Sequence, residues 1–108
     1  MIRGMFTVPL AAALAAVAAS ARAQDIAAGH AFAREACTAC HVVEFEHRAF
    51  RRFVIGPAFR DIANTPGMTA TAIQIFLTSW HPKMPNLILT PEEKADVVAY
   101  ILSLRDQH

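Results

Sequence analysis

Two cysteines three positions apart with a histidine directly after them, Cys37-Thr38-Ala39-Cys40-His41, are the residues of this chain best placed to do chemistry. In that order both thiols can add to the vinyl groups of a haem while the imidazole binds the iron from one side. One turn of backbone sets both sulfurs along one haem edge and leaves the next side chain beneath the metal. The same residues admit two other chemistries. A dithiol oxidoreductase would use Cys37 and Cys40 with a lowered thiol pKa, but no strand or βαβ pattern surrounds them and His41 follows at once. Zinc would need Cys37, Cys40, His41 and His81 to close a tetrahedral set, and their spacing does not obviously converge.

Covalent haem attachment takes place outside the cytoplasm in bacteria, and the N-terminus carries a matching export pattern. Arg3 forms a short positive region, and residues 5–19 are an uncharged run rich in Ala, Leu and Val. Ala21-Arg22-Ala23 then has the small-x-small form of a signal-peptidase site. We expect cleavage after Ala23, with residues 1–23 as the signal and 24–108 as the mature domain. An uncleaved anchor is disfavoured because the run falls short of the roughly 20 residues a membrane span prefers and Pro9 interrupts it.

Much of the chain's apolar excess therefore belongs to a segment that is removed. The mature chain of about 85 residues has room for one small domain. Its acidic side chains exceed its Lys and Arg by one, a balance that gives no reason to expect a nucleic-acid partner. A chain this small buries limited apolar surface and usually needs a staple, a metal or a cofactor. With no second cysteine pair, a haem in the core is the natural supplement.

Three helices joined by loops must position these residues, with no repeat and no alternating strand pattern. Asp25 can cap a first helix running through Gly29, Phe32 and Ala33 into Cys37. Gly29 and Ala33 lie four apart on one face, so another helix can approach closely there. A second helix begins near Thr69, with Ile73, Phe76, Leu77 and Trp80 as an apolar stripe that ends at His81-Pro82. Thr90, Pro91 and Glu93 predict a capping box at the start of a third helix, whose buried face is Val97, Tyr100, Ile101 and Leu104.

In this arrangement the chain resembles the small monohaem class I cytochromes c over nearly its whole mature length. The resemblance implies an all-α, cytochrome c-like fold: three main helices around one haem, with the N- and C-terminal helices crossing. Gly29 stands eight residues before Cys37, where the family has a glycine at that crossing. Gly56-Pro57 resembles the family loop whose proline carbonyl accepts a hydrogen bond from the proximal histidine, fixing the tautomer and orientation of the ligand. The segment from Glu44 to Phe53, with His47, Arg48, Arg51 and Arg52, is longer than the same loop in many members.

The sixth iron ligand decides function, because an iron closed on both faces moves electrons and an open one can bind or activate small molecules. The resemblance implies Met84, in the loop His81-Pro82-Lys83-Met84-Pro85-Asn86, where two flanking prolines restrict the backbone. His81 is its competitor, since His/His ligation also occurs on c-type haem. A soft sulfur opposite histidine favours reduced iron and raises the potential. Trp80 reads first as a core residue, and its indole N–H is also a propionate donor when packed beside haem. Phe59 and Phe76 read as core or haem-wall residues, Met68 as packing, and His30, His47 and His108 as incidental.

The expected function is a periplasmic electron carrier, not an enzyme. It holds one covalent haem c and its iron through Cys37, Cys40 and His41, with Met84, Pro57 and Trp80 completing the site. Its partners would be redox proteins, a dehydrogenase or bc-type donor and an oxidase or reductase acceptor, met by a monomer that touches membranes only through them. The alternatives are a haem subunit of a larger redox enzyme and a haem protein with an open sixth position.

Overall fold

The computed structural model describes Gly4 and residues 24–44, 55–84 and 87–107. Apart from Gly4, the expected signal segment lies outside these residues, as do the run from 45 to 54 with its basic side chains, Pro85, Asn86 and His108. Among the described residues the protein is helical, with no strand beyond an isolated bridge between His81 and Met84. None of these helices is long and apolar enough to cross a membrane.

Local capping chemistry sets the helix starts. Helix α1 (Ile26–Ala36) begins where the Asp25 carboxylate accepts from the Ala28 amide at 3.0 Å, and it ends on Cys37, whose N–H donates to Ala33 O. Helix α2 (Phe59–Ala63) follows Pro57. Helix α3 (Ala70–Thr78) is capped by Thr69 Oγ1, which accepts from the Ala72 amide at 3.1 Å. Helix α4 (Pro91–Ser103) has the full capping box: Thr90 Oγ1 accepts from Glu93 N at 3.1 Å and Glu93 Oε2 accepts from Thr90 N at 2.8 Å.

Two elements differ from the sequence reading. The described residues form four helices, because α2 adds one short turn-and-a-half that buries Phe59 and Ala63. Five residues are too few to show a 3.6-residue period. Helix α3 also stops earlier than its apolar stripe: the Ser79 hydroxyl and amide both bond Ile75 O, and the chain turns extended there. Ile73 is buried and Leu77 packs against the core, but Phe76 is half exposed and Trp80, outside the helix, is 75% exposed. Trp80 is therefore not a core residue.

Helices α1 and α4 pack on each other, and both α2 and α3 pack on α4. At the α1–α4 crossing a Cβ on Gly29 would lie 2.0 Å from Asp96 O and 2.9 Å from Val97 N. The absent side chain is what lets the two backbones meet. The amide of Asp25 donates to the buried Asp96 carboxylate at 2.8 Å, tying the start of α1 to the middle of α4. Arg105 fastens the far end, donating from Nε to Ala63 O at 3.2 Å and from Nη2 to Met68 O at 2.6 Å. The expected face of α4 is buried, with Val97, Tyr100, Ile101 and Leu104 each at most 5% exposed.

Tyr100 reaches furthest from that face, donating its hydroxyl to Val43 O at 2.5 Å. Burial, followed by the negative charge of Glu44, pushes its pKa up from 10.0 to about 12. The folded state thus prefers the neutral phenol more strongly than the unfolded chain does. The stabilisation is complete below pH 10 and is lost as pH rises towards 12. Denaturant midpoints measured across this window should fall with pH in the natural chain and fall less in Tyr100→Phe.

Candidate functional site

The site is assembled where the end of α1 meets the segment leading into α2. Past Ala36 the backbone tightens into a turn, with Cys40 N and His41 N both donating to Cys37 O at 3.2 and 2.9 Å. Thr38 Oγ1 reinforces it by donating to Arg34 O at 2.9 Å. This turn places Cys37, Cys40 and His41 together on one short loop, all three half-buried. Burial pushes the Cys37 thiol up to about 11. A buried thiol held protonated at neutral pH is the opposite of the activated thiolate that a dithiol oxidoreductase needs.

A second strip of backbone, residues 56–59, lies against the first. Gly56 N donates to Cys40 O at 2.7 Å and Phe59 N donates to Val42 O at 3.0 Å. Between these bonds the His41 ring is held on three sides. Its Nδ1 lies 2.6 Å from Pro57 O, and because a carbonyl can only accept, Nδ1 carries the proton and Nε2 keeps the lone pair. Phe59 packs against the ring, tilted by 52°, at a centroid distance of 5.4 Å. Gly56 lies flat against it: a Cβ there would be 2.4 Å from Cε1 and 2.7 Å from Nδ1. An imidazole whose tautomer is fixed through one nitrogen presents the other as a metal ligand.

Gly56→Ala should break this clamp, because a methyl group cannot share the space of the ring. The ring must rotate away from Pro57, and losses of a partner of this kind typically cost 10–100-fold in a ligand's hold on its metal. A denaturant titration of the variant should show the low-spin iron spectrum disappearing earlier than in the natural chain.

The remaining candidates lie after α3. Trp80, His81 and Met84 follow one another through a tight turn closed by Met84 N donating to His81 O at 3.1 Å. Met84 is half-buried. The His81 ring stacks on Phe76 at 3.8 Å and 14°, and its Nε2 is buried with no hydrogen-bond partner. The zinc reading fails on geometry: among the described residues no group of three or more His, Cys, Asp or Glu converges as a metal site.

His30 corrects the sequence reading, which took it as incidental. Its ring stacks on Tyr100 at 4.6 Å and its Nε2 bonds Glu44 Oε1 at 2.7 Å, with Arg34 Nε 3.5 Å from the same oxygen. Together with the Tyr100–Val43 bond it pins the chain just after His41 onto α1 and α4. The only signal in the sequence was the four-residue spacing of His30 and Arg34 on one helical face, which names no partner.

The residues present fit a haem. Two thiols one turn apart, an imidazole clamped with Nε2 presented, and a thioether in a proline-bounded turn are groups that could hold a haem covalently and ligate its iron. Large apolar side chains are exposed beside the strip that clamps His41, at Ile55, and around the end of α3, at Phe76 and Trp80, and a flat apolar macrocycle would cover such surface.

Comparison with known proteins agrees. A family model described as Cytochrome c matches residues 26–105. The chain is 36% identical over 96 residues to cytochrome c-552 of Bradyrhizobium diazoefficiens, a match that spans 89% of this chain and 90% of that protein. No solved structure gives a significant match.

Proposed function

Because this chain belongs to the cytochrome c family, and as a small class I member is a haem c electron carrier, we propose that it serves in the periplasm, with His41 and Met84 as its axial ligands. The observation that carries the proposal is the His41 clamp, in which Pro57 O, Gly56 and Phe59 leave Nε2 as the one nitrogen presented. When bound, haem supplies an iron that cycles between Fe(II) and Fe(III). The chain's own residues do the rest. Cys37 and Cys40 would hold the ring through thioether bonds, and Pro57 keeps His41 in one tautomer and one orientation, so little would move when the charge changes. Met84 would supply a soft sulfur ligand that favours the reduced state. Trp80, a largely exposed residue, is the proposed propionate donor through its indole N–H.

On this reading no substrate is bound or transformed, which separates a carrier from a haem catalyst. Electrons would pass at the haem edge in brief encounters, for which small interfaces suffice. The donor would be a dehydrogenase or bc-type complex and the acceptor an oxidase or reductase. The export pattern in residues 1–23 supports the periplasmic assignment, with 24–108 as the working domain.

A potentiometric titration of the purified mature protein tests the proposal. A single reversible one-electron wave, at the higher potential that sulfur ligation gives, is expected. A low potential of the bis-imidazole kind would reassign the sixth ligand.

A further inference from the structure

Past His41 the chain is held at each of the next three residues, by a different partner each time. Val42 O accepts from Phe59 N at 3.0 Å. The buried Val43 accepts through its carbonyl from the Tyr100 hydroxyl at 2.5 Å. The Glu44 carboxylate accepts from His30 Nε2 at 2.7 Å, with Arg34 Nε 3.5 Å from the same oxygen, so both contacts come from one face of α1. His30 also stacks on Tyr100 at 4.6 Å and 17°. Tyr100 in turn lies 6.3 Å from Phe59, and Phe59 packs on the His41 ring at 5.4 Å. A half-buried histidine on α1 therefore holds both ends of the frame around His41, although it touches neither the ring nor Pro57.

We infer that His30 is a positioning residue for the His41 ligand: its bond to Glu44 seats residues 42–44, and through the Val42–Phe59 bond that strip keeps Pro57 O in register with His41 Nδ1. The inference rests on His41 being an iron ligand. Pro57 stands two residues before Phe59, so a strip that shifts carries Phe59 N with it and draws the Pro57 carbonyl away from the ring. The consequence at the iron follows from that one bond. A carbonyl that accepts from Nδ1–H makes the ligating nitrogen more basic, and a more basic ligand favours Fe(III). Loosening the bond therefore raises the potential. The field of a charged His30 acts in the opposite sense, since removing a cation near the iron favours Fe(III) and lowers the potential. The direction of the change thus separates positioning from charge.

The haem-loaded natural chain, His30→Ala and His30→Gln test this. Glutamine keeps an N–H donor at about the reach of Nε2 and omits the ring. Denaturant midpoints report stability, and two readouts report the site: the potential, and the solvent exchange rate of the His41 Nδ1 proton, followed by NMR in the reduced protein. In His30→Ala the potential should rise and the Nδ1 proton should exchange about tenfold faster, the lower end of what loss of an outer partner costs a ligand. His30→Gln should return most of both changes. A lower midpoint with potential and exchange unchanged would make His30 a structural residue only and overturn the inference. A lowered potential with unchanged exchange would assign the effect to charge and overturn it as well, and so would a His30→Gln protein that behaves like the alanine variant, because the Glu44 bond is the proposed means. A His41 ring that lacks the ring-current shifts of an axial ligand in the natural chain would instead remove the reading of His41 beneath it. Where alanine prevents folding, His30→Leu keeps bulk against Tyr100 without a donor and gives the same reading.

Discussion

Gly29→Ala should destabilise this protein by more than about 3 kcal/mol, although alanine is the better helix former. Helix propensity alone predicts a gain of about 1 kcal/mol for this exchange. Against it stands a new carbon 2.0 Å from Asp96 O and 2.4 Å from Asp96 C. Both are backbone atoms in the middle of α4, and no rotamer change relieves the overlap. Overpacking by a methylene ordinarily costs about 1–3 kcal/mol where side chains can yield. Here α1 and α4 must separate, which also strains the Asp25 N to Asp96 bond and loosens Ala33 and Val97, two of the most deeply buried residues. Domains have only about 5–15 kcal/mol to lose. Denaturant unfolding of the holoprotein should show a large fall in midpoint, while Ala31→Gly, on the exposed side of α1, should cost only about 1 kcal/mol. A Gly29→Ala variant at least as stable as the natural chain would disprove the close crossing.

The second large effect concerns the cofactor itself. Replacing both Cys37 and Cys40 with serine should yield a chain that is colourless on a haem-stained denaturing gel and has lost most of its helical signal. Thioethers at these cysteines would keep the haem tethered at a high effective concentration, and a group that binds only the folded state stabilises it accordingly. The apolar core among the described residues is small, and its largest fully buried side chains are Val97 and Val98. A domain of this size depends on its cofactor for stability. Haem staining that survives the double exchange would place attachment elsewhere, and full helicity without haem would show that the protein core suffices alone.

These two predictions draw on different kinds of information. The attachment motif is local, and so are the caps at Asp25, Thr69 and Thr90, since each is a side chain bonding an amide three residues on. Such features are legible in sequence because nothing distant decides them. The buried face of α4 was legible for the related reason that four apolar residues at helical spacing have one consistent solution. The stripe in α3 misled, because periodicity continued through Phe76 and Trp80 while Ser79 had already closed the helix. Helix α2 was too short to carry a period.

The site divides in the same way. Cys37, Cys40 and His41 announce themselves, but every residue has a carbonyl, so Pro57 as the acceptor for His41 came from family resemblance and not from pattern. That Gly56 owes its identity to the His41 ring, and not to a left-handed backbone, is a fact of packing between segments 15 residues apart. The His30 stack on Tyr100 joins residues 70 positions apart and leaves no local trace. The dry Nε2 of His81 is likewise a property of its surroundings. In each case the residue type was visible and its partner was not.

The central claim is that the iron is closed on both faces, by His41 and Met84, and therefore carries electrons. Mixing the reduced mature protein with carbon monoxide at neutral pH tests it most directly. Slow binding or none is the expected result, because an axial ligand would first have to leave the metal. A rapid spectral shift would reveal an open face and contradict the account.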